Sequence, residues 1–234
     1  MRETCLYKNL KKLYFKYICI RKFGVNRIGI KERLLHPAIY GGGNNIDFAG
    51  KIQKVQLYVM GNENSVVLKK GAAIEQGSYI EISGNNNKIT VESESILRDV
   101  WIEIYGNNCE LSIGKNTIIN KGSLFAIGED HNSIEIGDGC QIARGVYCYA
   151  SDMHTVIKEG KKINVSKPIK IGNHVWIGSR STVLKGTIIR DDVVVGAGSV
   201  VAGEYDRNQV VVGNPARIVN TNVNWTNDPF YDQN

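Results

Sequence analysis

The feature that most restricts this chain is a repeat of six. Ile171, Ile177, Val183, Ile189, Val195 and Val201 recur without a slip. Four positions after each comes Val175, Ser181, Thr187, Val193, Ser199 and then Tyr205. Neither the 3.6-residue period of a helix nor the alternation of a strand gives this pattern. One obligatory aliphatic and one small residue in every six describe a solenoid of short flats, three to a coil. The aliphatic residue points inward and stacks on its equivalent in the next coil. The small residue sits near a corner, where bulk would clash.

A slower repeat precedes it. Gly43-Asn44-Asn45, Gly61-Asn62-Glu63, Gly84-Asn85-Asn86, Gly106-Asn107-Asn108 and Gly128-Glu129-Asp130 start 18, 23, 22 and 22 residues apart. Eighteen is three flats of six, and twenty-two reads as the same coil with a four-residue corner extension. Glycine and asparagine tolerate the positive φ that such corners need. Sixes return at Ile113, Ile119 and Phe125, and again at Ile136, Ile142 and Cys148. Residues 151–168 then contain no inward residue. A long loop extruded from a regular array calls for a functional reason. The expected organisation is a helical segment or cap at 1–36, a β-helix at 37–219 and a polar tail at 220–234. Asn-rich corners also occur in right-handed β-helices, but the strict sixes after 169 argue against that hand.

Charge is concentrated at one end. Residues 1–36 hold ten Lys/Arg and two acids, so they carry +8 of a net +6, and the rest of the chain carries −2. Leu6, Leu10, Leu13, Tyr14, Tyr17 and Ile18 share one face of a helix read over 3–22, with lysines opposite. Such a helix either caps the open end of the solenoid or lies against an anionic membrane surface or glycan. No nucleic-acid motif accompanies the charge, so nucleic acid is not an expected partner. Five cysteines without a CxxC, and no secretory signal, fit a reducing, cytoplasmic setting. No apolar run reaches the roughly 20 residues that span a bilayer.

Two stretches carry candidate chemistry. The loop holds Asp152-Met153-His154, and the following flat reads Ile171-Gly172-Asn173-His174-Val175-Trp176-Ile177-Gly178. With Leu184-Lys185-Gly186, Val195-Gly196-Ala197-Gly198-Ser199 and Gly213-Asn214-Pro215-Ala216-Arg217, these resemble the hexapeptide-repeat O-acetyltransferases of bacterial surface polysaccharides. Those acting on sialic-acid capsules are especially similar. The match is strong over about 151–225 and one of style before that. The resemblance implies an all-β, left-handed parallel β-helix with an extruded active-site loop. It also implies acetyl-CoA as co-substrate, a polysaccharide acceptor and a homotrimer with each donor slot between neighbouring prisms.

The chemistry can be argued from the residues as well. Moving an acetyl group from a thioester to a sugar hydroxyl needs a base, and histidine suits neutral pH. His154, on an exposed loop, is the candidate, and the resemblance gives it the same role. Asp152 either orients that imidazole or shapes the loop by an Asx turn. Trp176 is too large for the interior. The resemblance makes it a wall for the thiol end of the donor, beside an N–H for the oxyanion; packing at an interface is the alternative. Small residues at Gly178, Ser179, Ala197 and Gly198 would let an extended pantetheine arm lie near the backbone. Arg217 or Lys185 would then meet the phosphates. Where relatives often carry Thr-Lys after the Gly-Ala-Gly-Ser run, this chain has Ala202-Gly203. Proline often follows the catalytic histidine, but here Thr155 stands.

His36, His131, His154 and His174 include no close pair, so no metal site is expected. A sugar-nucleotide or small-molecule acyltransferase and a non-enzymatic β-helix scaffold are the competing readings.

Overall fold

The computed structural model describes residues 34–230. The helix read over 3–22 lies outside the described residues. What is described is a parallel β-helix: sheets of eight, eight and nine strands form the three faces of a prism. The first face includes Tyr79–Ser83, Trp101–Tyr105, Leu124–Gly128 and Tyr147–Tyr149. The second includes Lys88–Val91, Glu110–Ile113, Ser133–Ile136 and Ile169–Ile171. The third includes Ile96–Leu97, Ile118–Ile119, Gln141–Ile142 and Trp176–Ile177. His36-Pro37, at the expected boundary between the segment 1–36 and the β-helix, lies inside the first strand, Leu34–Tyr40. This is an edge strand, where a proline is tolerated, and its register shifts between Leu35 and Ala38.

The six-residue phase describes the interior. Ile171, Ile177, Val183, Ile189, Val195 and Val201 are all buried, and so are the corner residues Val175, Ser181, Thr187, Val193 and Ser199. Each inward aliphatic faces its equivalent one coil away, for example Ile177 against Ile142 and Val195. Cys109, Cys140 and Cys148 are free thiols inside this stack. Burial pushes Cys148 up to about 12, which keeps it protonated and inert.

The coils come in two gauges. Trp101 pairs with Leu124, 23 positions on, whereas Thr182 pairs with Val200, 18 positions on. The additional residues are not an extension of one corner. They lengthen two faces, each of which then buries a second residue: Ile102 with Ile104, and Leu111 with Ile113. The third face keeps two-residue strands throughout its middle. The change from wide to narrow coils falls at the extruded loop.

The Gly-Asn corners of the wide coils form two hydrogen-bonded columns. Inside, the Asn64 carboxamide accepts from Asn87 N–H at 2.9 Å and donates to the Gly84 carbonyl at 2.9 Å. Asn87 repeats this toward Cys109 N–H and the Gly106 carbonyl. Outside, Asn62, Asn85, Asn107 and Asp130 link in sequence through side-chain oxygens. Asn86 and Asn108 take positive φ between the columns.

Candidate active site

The loop leaves the first face after Tyr147–Tyr149 and rejoins the second at Ile169–Ile171, so it projects from the edge between them. Ile157–Lys158 and Lys161–Lys162 pair antiparallel within it. Its base is set by Asn164, whose amide donates to the Asp152 carboxylate and to the His154 carbonyl, both at 2.7 Å. The Asn164 oxygen accepts from Val156 N–H at 2.7 Å.

His154 is exposed at this edge, with Nδ1 3.4 Å from the Asp152 carbonyl oxygen. Asp152 was a candidate to orient the ring through its carboxylate, but the carboxylate does not touch the imidazole. It accepts from Lys185 Nζ at 2.6 Å and from Asn164. The Lys185 hydrogen bond, followed by that of Asn164, holds the Asp152 carboxyl below its ordinary range. Lys185, a candidate for donor phosphates, is thus engaged at the foot of the loop, where it also donates to the Asn164 carbonyl at 3.0 Å. The reason is topological: Lys185 follows the first-face strand Thr182–Leu184 and emerges at the same edge as the loop.

Below His154 lies a cleft of about 340 Å³ lined by Tyr105, Gly128, Glu129, Ser151, Met153, Thr155 and Lys162. Lys162 bridges Glu129 at 2.8 Å and holds that carboxyl below its ordinary range. Tyr105, Glu129 and Lys162 were not singled out from the sequence. The signal was Gly128-Glu129-Asp130, the one corner of that series with two acids and no asparagine in the three positions.

The other candidates sit elsewhere on the prism. Trp176 points out of the third face between Gln141 and Val194 and is 44% exposed. Gly178, Ser179, Ala197 and Gly198 form the edge between the third and first faces. A Cβ on Gly178 would lie 2.5 Å from Ala197 N, so the coils approach closely there, and one on Gly198 would meet nothing within 4 Å. Arg217 is exposed on Ala216–Thr221, the antiparallel strand that ends the third sheet. The small residues and the open edge suit an extended, thin ligand arm.

The tail returns to this face. Trp225 stacks on His174 with ring centres 4.2 Å apart and lies 6.0 Å from Trp176, and its indole N–H donates to the His174 carbonyl at 2.7 Å. His174 Nδ1 is 2.9 Å from the Asp192 carboxylate. Phe230 stays exposed. No helix among the described residues is long and apolar enough to cross a membrane.

The model for the hexapeptide repeat of succinyl-transferase matches residues 110–150 and 168–202, so its interruption coincides with the loop. The crystal structure of the polySia-specific acetyltransferase NeuO superposes with a TM-score of 0.77 at 26% identity, covering 87% of this chain and 93% of that one. The polysialic acid O-acetyltransferase OatWY is 31% identical over 83% of this chain and 94% of its own, with a TM-score of 0.59. The chain belongs to the hexapeptide-repeat O-acetyltransferase family. Its β-helix has the left-handed course of that family. The polysialic acid O-acetyltransferase of Neisseria meningitidis is 34% identical over 144 residues, which are 61% of this chain and 65% of the relative.

Proposed function

We propose that this chain moves an acetyl group from acetyl-CoA to a sugar hydroxyl of a bacterial surface polysaccharide, in a trimer whose sites lie between subunits. One observation carries the reading. His154 stands over a cleft at the edge between first and second faces, whereas Trp176 and the small-residue edge lie across the prism. Within one protomer these halves face apart. A neighbouring copy, turned so that its edge of third and first faces meets the loop, completes the site.

In that site His154 takes the proton of the acceptor hydroxyl as its oxygen bonds to the acetyl carbonyl carbon. The imidazolium returns the proton to the departing sulfur, which leaves as the thiol. Acetyl-CoA supplies the activated acyl group. Trp176, Gly178, Ser179, Ala197 and Gly198 would hold its arm, Arg217 its phosphates, and a backbone N–H beside Trp176 would face the oxyanion. Lys185 is assigned instead to holding the loop through Asp152.

The test is thiol release from acetyl-CoA with oligosialate, neutral O-antigen fragments and monosaccharides as acceptors. His154→Ala should lower kcat about 10²–10⁴-fold and leave CoA affinity nearly constant. Trp176→Ala should raise the KM for acetyl-CoA. Full turnover in His154→Ala would move the base elsewhere. The absence of both CoA binding and thiol release would sink the enzyme reading.

A further inference from the structure

The outward side of the first face bears a feature unrelated to acetyl transfer itself. Tyr58 and Tyr79 lie with ring centres 5.5 Å apart, and Tyr79 and Trp101 with centres 5.9 Å apart. Trp101 is 53% exposed although it stands on the middle of a regular sheet. Tyr147 and Tyr149 continue the stripe beyond Leu124. Glu81 and Glu103 stand side by side in the cross-strand row that begins at Tyr58 and ends at Tyr149, next to the row of Tyr79 and Trp101, and Tyr79 O–H donates to Glu81. The stripe runs about 19 Å from Tyr58 to Tyr149, four inter-strand spacings. Among the described residues no lysine or arginine stands on this side of the strands from Val55–Met60 to Tyr147–Tyr149. Tyr105, next to Glu103 on the same strand, lines the cleft under His154.

Aromatic rings presented edge by edge offer stacking planes for the C–H faces of sugar rings, and carboxylates between them accept hydrogen bonds from hydroxyls. Two adjacent carboxylates with no lysine or arginine on their own or the neighbouring strands repel a polyanion along this stripe. We infer that the first face is a binding track for an uncharged glycan chain, which it delivers to the cleft beside His154. The inference rests on the trimeric transferase reading for its direction, not for the binding itself.

The experiment uses the full chain without acetyl-CoA. Intrinsic tryptophan fluorescence and calorimetry follow titration with uncharged oligosaccharides of glucose, galactose and N-acetylglucosamine, six or more residues long, and with oligosialic acid. At least one neutral oligomer should bind and oligosialic acid should not. Trp101→Ala and Tyr79→Ala should each weaken that binding tenfold or more, with the trimer and the melting temperature unchanged. In the transfer assay they should raise the KM for the polymer but not for a monosaccharide. Preference for oligosialic acid, or no effect of either variant, would overturn the track. Dissociation of the oligomer in Trp101→Ala would reassign the face to contact between copies. A failed acetyl-transfer assay with neutral-oligomer binding intact would refute the enzyme reading alone.

Discussion

At the scale of single residues, the loop is organised by Asp152 rather than by the histidine it displays. Its carboxylate joins Lys185, Asn164 and, through Asn164, the His154 backbone. Because the native carboxyl lies below its ordinary range, this stabilisation is present above the unfolded value of about 3.9 and is lost as pH falls through the lower native value. The pair is partly exposed, so it contributes no more than about 1 kcal/mol. Lys185→Met should therefore leave the melting temperature nearly unchanged while exposing residues 152–165 to protease at neutral pH. Wild type should show the same cleavage only below about pH 4. Equal resistance of the two proteins at pH 7 would contradict this role. The pairing could not be read from sequence, since Asp152 and Lys185 are 33 positions apart and meet only because the loop folds back across one edge.

Elements tell a different story, because here the sequence was largely sufficient. Ile177→Ala removes one member of the stack between Ile142 and Val195 and should cost about 2–5 kcal/mol, read by chemical denaturation. An unchanged midpoint would mean the phase is wrong. Asn87→Ala should cost about 1–3 kcal/mol for each group it orphans, since Cys109 N–H and the Gly106 carbonyl lose their partner inside the coil. The six-residue phase was legible because it needs only one inward aliphatic per flat. The wide coils were misread as corner extensions for a physical reason. A second inward residue two positions on, as in Ile102 and Ile104, preserves strand alternation, so nothing in the pattern separates a longer face from a longer corner. The partner of Trp225 was equally hidden, since a tryptophan in a polar tail reads as held against something but does not announce that it will stack on His174, 51 positions earlier.

The whole molecule is where the candidate site either closes or does not. Each prism offers one half-site per edge, so the proposed unit is the trimer, and light scattering should give three times the 26.0 kDa chain. A sharper measurement mixes His154→Ala with Trp176→Ala chains, unfolded and refolded together, and assays them at acetyl-CoA far below the raised KM of Trp176→Ala, where neither variant alone turns over appreciably. If sites lie between copies, random pairing recovers roughly a quarter of wild-type turnover, the product of two even chances at a head-to-tail interface. If each chain builds its own site, nothing returns.

The step between the two coil gauges also answers a problem peculiar to repetitive folds. Identical coils have no address: a chain in which each coil contacts only its neighbours can close one coil out of register at little cost. Here such a slip would seat a wide coil on a narrow one. The second buried column of the first face runs through Ile104 and Ile127 and closes on the small Ala150, so a slip would set a larger aliphatic side chain against a strand such as Thr182–Leu184 that has a single inward residue. The mismatch therefore acts as a fiducial mark for folding. It gives the loop that departs there a single permitted place along the axis.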